Sequence, residues 1–183
     1  MISMALASLL LPFLPLLAKQ ILLNNFLSDL PAIGIATDNV DSEAVIKPHR
    51  WDMATIRRFM LTFGLISSLF DGLTFGVLLW LTDGAPAHFR TGWFVESLLT
   101  ELWVLMVVRT ARPAYRSRPG TLLGYLTLLL TGVTLILPYM PISHTLFDFT
   151  PLPLNVLAAA LVITAVYLVC TELVKQRLFR SMI

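Results

Sequence analysis

Residues 57–81 read RRFMLTFGLISSLFDGLTFGVLLWL, two arginines followed by a long run whose one charged side chain is Asp71. A hydrocarbon layer about 30 Å thick is crossed by about 20 mostly apolar helical residues. The run therefore predicts a membrane-spanning helix over 59–82. Working outward, four further stretches meet the same requirement: 17–36, 93–109, 120–138 and 153–174. Residues 1–16 are apolar too, but short and interrupted by Pro12 and Pro15. A cleaved signal peptide fits them poorly, because no basic residue precedes Lys19 and no small-residue cleavage site follows. The fold expected is all-α, a polytopic membrane helical bundle with five full transmembrane helices plus a truncated first one, forming a single domain over 1–183.

Composition agrees. Apolar residues make up 57% of the chain, charged residues 13%, and the mean hydropathy is +0.80. A soluble domain carries about a quarter charged residues, so roughly half of the usual solvating surface is missing. The one cysteine excludes an internal disulfide, and His49, His88 and His144 lack metal-ligand spacing. A net charge of +2 excludes an electrostatic nucleic-acid binder, so no nucleic-acid partner is expected; the bilayer is.

The distribution of charge gives an orientation. Lys47, Arg50, Arg57 and Arg58 lie in 37–58, and Arg109, Arg112, Arg116 and Arg118 in 109–119. Lys175, Arg177 and Arg180 follow the last span, leaving Lys19 and Arg90 for the other side. By the positive-inside rule, 37–58, 109–119 and both termini face the cytoplasm of a cell (inner) membrane. Trp51, Trp80 and Trp93 near span ends fit interfacial anchors, and 83–92 and 139–152 read as short exposed turns on the opposite side.

Ionisable groups within spans are costly, about 2.5–3.5 kcal/mol each at a helix centre, so each one invites a functional reading. In ILLNNFLSDLPAIGIA (21–36), Asn25, Ser28 and Asp29 share one helical face, and Pro31 beyond them favours local unwinding. An amide oxygen, a hydroxyl and a carboxylate suit a hard cation such as Mg²⁺ or Ca²⁺; the plainer alternative is a pairing of Asp29 with a neighbouring helix. Asn24 points about 100° away from Asn25 and reads as a packing or supporting residue. Glu101, at mid-depth, is a cation ligand, a proton carrier or a helix–helix hydrogen-bond partner. Asp71 lies beside Gly64, Ser68, Gly72 and Gly76, a stripe of small residues that suits close helix packing, so a structural hydrogen bond is expected of it. Glu96 and Glu172 read as interfacial.

Residues 17–58 resemble the sixth transmembrane helix and following loop of P-type cation-transporting ATPases. The helix carries Asn25-Phe-Leu-Ser28-Asp29-Leu-Pro31, and the loop DNVDSEAVIKPHRWD (38–52) is similar to that of the bacterial magnesium-transporting members. RFMLTFGLISSLFD (58–71), TGWFVESLL (91–99), VRT (108–110) and PLPL (151–154) extend the resemblance along the whole chain. The resemblance implies that 1–16 is the outer part of the fifth family helix and that helices six to ten follow. It implies metal ligation by Asn25, Ser28 and Asp29 on the sixth helix and by Glu101 on the eighth. The family's magnesium transporters usually carry glutamine at the position of Glu101 and tyrosine at that of Ser28, departures that bear on the identity of the ion.

The function implied is the membrane-embedded C-terminal part of a P-type ATPase moving a divalent cation, with Mg²⁺ import the leading reading. The family's Asp-Lys-Thr-Gly-Thr phosphorylation motif is absent from these 183 residues. ATP would therefore act only through domains beyond them, the partner is the remainder of the ATPase, and this chain is not expected to hydrolyse ATP alone. The alternatives are a non-enzymatic membrane fragment or accessory subunit, and a pump for another divalent cation such as Ca²⁺.

Overall fold

The computed structural model describes residues 2–39 and 53–180, and all their regular structure is helical. In chain order the helices are α1 (Ile2–Leu10), α2 (Ala18–Ile35), α3 (Met53–Leu81), α4 (Pro86–Val108), α5 (Thr121–Ile136), α6 (Pro141–Phe147) and α7 (Leu154–Arg180). Short 3₁₀ turns occupy Ala114–Arg116 and Leu137–Tyr139.

Among the described residues, four stretches are long and apolar enough to cross a membrane: Ile56–Leu81, Pro86–Val108, Thr121–Tyr139 and Leu154–Leu178. The fifth expected span, α2, forms a helix of 18 residues but is less apolar than these, because Lys19, Gln20, Asn24, Asn25, Ser28 and Asp29 interrupt it. Its buried residues are Gln20, Asn24, Leu27, Pro31 and Gly34. That alternating spacing of four and three is a helix-packing seam. It lies against α5 and α4. A Cβ on Gly34 would stand 2.9 Å from the Leu123 Cα, so only glycine lets the α2 and α5 backbones approach this closely. Pro31 sits in this seam and the helix continues through it to Ile35, without the unwinding expected there.

Helix α4 is the hub, packing on α2, α3, α5 and α7. Phe89, Phe94, Val95, Leu98, Leu99 and Leu102 are all buried on it. It begins seven residues before the predicted span, because Pro86 pre-sets the first helical turn after a tight bend at Asp83 and Gly84, both with positive φ. The predicted turn 139–152 likewise contains a helix, α6. Asp148 ends it in the left-handed conformation, which a short polar side chain tolerates.

The two ends of the bundle are tied differently. At one end Lys19 pairs with Asp148 at 2.6 Å, both half-exposed, and the Arg90 Nε donates to the Leu14 carbonyl at 2.9 Å. At the other, Arg109 is almost wholly buried and donates to Asp38 at 2.7 Å and to the Ser117 carbonyl at 2.8 Å. Asp38 also accepts from the Gly120 N–H at 2.6 Å. Partial burial by itself raises the Asp38 carboxyl, but the Gly120 N–H and the Arg109 guanidinium outweigh it and hold the group below its ordinary value. Nearby, the fully buried Lys175 donates to the Val107 and Arg112 carbonyls, both at 2.9 Å, and pairs with Glu172 at 2.8 Å. Of the loop motif 38–52, only Asp38 and Asn39 fall within the described residues.

Candidate functional site

The polar groups of α2, α3 and α4 meet around a cavity of about 140 Å³. Asn24 and Asn25 line it from α2, Ser67 and Asp71 from α3, and Trp93, Ser97 and Glu101 from α4. The Asn24 Nδ2 donates to the Glu101 Oε2 at 2.9 Å. Among the described residues the Asn24 Oδ1 is buried without a hydrogen-bond partner. Among the described residues, no basic side chain lines the cavity.

Of the four predicted ligands, the structure brings three into one neighbourhood. Asn25 and Glu101 line the cavity, and Ser28 interacts with the Glu101 carboxyl while its hydroxyl donates to the Asn25 carbonyl at 3.2 Å. Asp29 is exposed and is not among the lining residues. Helical geometry explains the division. At about 100° per residue, Ser28 is displaced only about 40° around the helix from the seam residue Asn24, whereas Asp29 is displaced about 140°. Among the described residues no group of three His, Cys, Asp or Glu side chains converges as a metal site. The predicted ligand set, amide and hydroxyl oxygens with few carboxylates, is of another kind.

Two placements differ from the sequence reading. Asn24, read as packing or supporting, donates a hydrogen bond to Glu101. Its place in the seam beginning at Gln20 is set by tertiary packing. Glu96, read as interfacial, is only 2% exposed. The start of α4 at Pro86 puts Glu96 ten residues into the helix, about 15 Å from its end at 1.5 Å per residue. Asp71, Glu96 and Glu101 all lie within electrostatic range of one another. Meanwhile Gly64, Gly72 and Gly76, expected to mark a tight helix pair, would each carry a Cβ into open space.

Comparison with known proteins gives the chain a family. The family described as "Cation transporting ATPase, C-terminus" matches residues 13–177. The chain is 39% identical over 178 residues to "Magnesium-transporting ATPase, P-type 1" of Salmonella typhimurium strain LT2, covering 94% of this chain and 20% of that protein. It is 38% identical, with the same coverage, to the protein of that name in Escherichia coli K12. A second Salmonella typhimurium LT2 protein of the same name is 35% identical over 159 residues. The chain thus spans about a fifth of the length of the curated relatives it matches.

Proposed function

We propose, from the fact that this chain belongs to the cation transporting ATPase C-terminal family, that it is the C-terminal membrane part of a P-type pump for a divalent cation, Mg²⁺ being the cargo its relatives are named for. The match across 13–177 carries this reading. Phosphoryl transfer needs a nucleophile, a lysine and a positioned Mg²⁺. These would come from parts of the pump beyond this chain, and the chain would contribute ion handling. The end of the bundle that carries Asp38, Arg109 and Lys175 is its cytoplasmic side, in keeping with the eleven basic residues assigned there by the positive-inside rule.

The ion site is built on α2 from Asn25, Ser28 and Asp29, with Glu101 approaching from α4. Asn25 and Asp29 are exposed on one face of α2, where Asn25 also lines the cavity. In the complete pump that face receives helices from the remainder of the protein, which complete the coordination shell with further oxygens. Mg²⁺ demands near-octahedral oxygen ligation and retains part of its water, so a few protein oxygens suffice. The test is Asp29→Asn in the complete protein. Mg²⁺-stimulated ATP hydrolysis is expected to be lost, and unimpaired stimulation would overturn the site.

A further inference from the structure

We infer that Glu96 is a proton-binding carboxyl apart from the ion site, and that hydroxyls on α3 and α7 connect it to the end of the bundle that carries Glu172 and Lys175. Its basis is the packing of α3, α4 and α7, and it holds whichever cation is carried.

Glu96 is 2% exposed at the middle of α4 and does not line the cavity beside Asn24 and Glu101. Five residues separate it from Glu101, about 140° around the helix and about 7.5 Å along it. Its surroundings come from α3 and α7 instead. The Thr74 hydroxyl of α3 acts directly on the carboxyl, and Tyr167 of α7 lies within electrostatic range. The titratable groups that bear on Glu96 are Asp71 from α3, Glu101 from α4 and Tyr167 from α7, all of them acids. Among the described residues Glu96 makes no ion pair. A buried carboxylate in such a place is costly, and a bound proton removes its charge.

A line of buried hydroxyls leads away from it. Thr74, Thr164 and Thr171 are each 6% exposed or less, and none of their hydroxyls completes a hydrogen bond among the described residues. Buried hydroxyls in this state are where internal waters bind. Thr164, Tyr167, Thr171 and Lys175 follow one another on α7 at intervals of three and four, so they form one buried polar face. Tyr167 interacts with Ser67 of α3 and with Thr171 one turn along its own helix. One turn farther, Lys175 pairs with Glu172 at 2.8 Å, and the Glu172 side chain is 16% exposed. These groups form a ladder from Glu172 through Thr171 and Tyr167 to Glu96. A proton from water at Glu172 passes along it as each hydroxyl accepts a proton on its oxygen and releases its own to the next. The Glu96 carboxylate ends as the carboxylic acid. Only O–H bonds form and break, so no oxidant or further reactant is needed.

Infrared spectroscopy of the complete protein in lipid nanodiscs, titrated with acid and base and exchanged into D₂O, tests this. A carboxylic-acid C=O band that disappears in Glu96→Gln is expected, and its pH midpoint measures the proton affinity of the site. Glu96→Asp keeps a carboxyl there and should retain the band, shifted in frequency, which separates loss of the group from loss of the fold. Tyr167→Phe should keep both the band and the unfolding temperature. It should slow exchange of the band into D₂O about a hundredfold, the low end of what a positioned proton-transfer group contributes. Thr171→Val should slow it less. A Glu96→Gln spectrum that keeps every acid band of the parent protein would overturn the proton site, and unchanged exchange in Tyr167→Phe would overturn the ladder.

Discussion

Helices α3 and α4 are both apolar spans of similar length, yet the bundle treats them in opposite ways. Along α4, Phe89, Phe94, Val95 and Leu98 have no exposed surface, and the Phe94 ring packs on Phe149 with centroids 4.6 Å apart. Along α3, Leu61, Leu65, Leu69 and Trp80 are between 61% and 78% exposed. Hydropathy reports only that a segment prefers hydrocarbon to water, and lipid tails are as apolar as leucine. It cannot separate a helix surrounded by protein from one that faces lipid or the rest of a larger assembly. What separates these two is the spacing of small and polar residues and where each helix begins.

The contrast is sharpest where α4 ends. Arg109 is the C-cap of α4, and its side chain is 3% exposed against Asp38. Removing one member of such a pair strands the other, at a cost of about 3–5 kcal/mol. Arg109→Ala should show this in chemical or thermal unfolding. The half-exposed pair Lys19–Asp148 at the opposite end sets the scale: Lys19→Ala should cost less than about 1 kcal/mol. Equal losses would mean that the two ends are not differently tied. The pH dependence has a definite sign. The Asp38 carboxyl is lowered in the folded state, so the unfolded chain binds its proton more readily. Its stabilisation is complete above the ordinary carboxylate value of about 4 and fades as pH falls through the lowered folded value. Asp38→Asn should lose this acid limb, as measured by unfolding midpoints at acid pH.

Much of this architecture is legible in the sequence, and the failures share one cause. The expected spans 59–82, 120–138 and 153–174 fall largely on α3, α5 and α7, because length and apolarity mark a helix for a bilayer solvent, although α3 begins earlier, at Met53, and α7 runs on to Arg180. The start of α4 was missed because Pro86 was read as a loop residue, and with it went the depth of Glu96. The site was half legible. The polar face of α2 is evident from Asn25, Ser28 and Asp29, but the inward direction is set by the seam through Gln20, Asn24, Leu27, Pro31 and Gly34. Four of the five seam residues are polar or helix-disfavouring, so hydrophobic periodicity does not reveal it. Tertiary contact with Leu123 and Glu101 defines it instead.

Glycines give the next test. Gly34 on α2 is closed in by the backbone of Leu123, which cannot rotate away, so Gly34→Ala should force α2 and α5 apart and cost about 1–3 kcal/mol. On α4, a Cβ at Gly92 would lie 2.9 Å from the Leu78 Cδ2, the tip of a side chain that can shift. Gly92→Ala should therefore cost less than Gly34→Ala. The reverse order would show that packing around α4 is stiffer than that between α2 and α5.

The smallest expected effect is the most informative about α3. A Cβ at Gly72 meets nothing within 4 Å, and alanine is the better helix former by up to about 1 kcal/mol. In this bundle alone, Gly72→Ala should be neutral or slightly stabilising. In the complete pump the outcome depends on what covers the stripe of Gly64, Ser68, Gly72 and Gly76. If lipid covers it, the substitution stays neutral there too, since a methyl group among acyl chains creates no clash. If a helix from the remainder of the pump lies against the stripe, the methyl group enters a small-residue contact of the kind that draws transmembrane backbones together, and stability falls. Measuring the Gly72→Ala melting temperature in the complete protein thus reads the neighbour of α3 directly. A fall comparable to that of Gly34→Ala would show that α3 is a buried helix whose partner lies outside these 183 residues, and the contrast with α4 would belong to the isolated bundle alone.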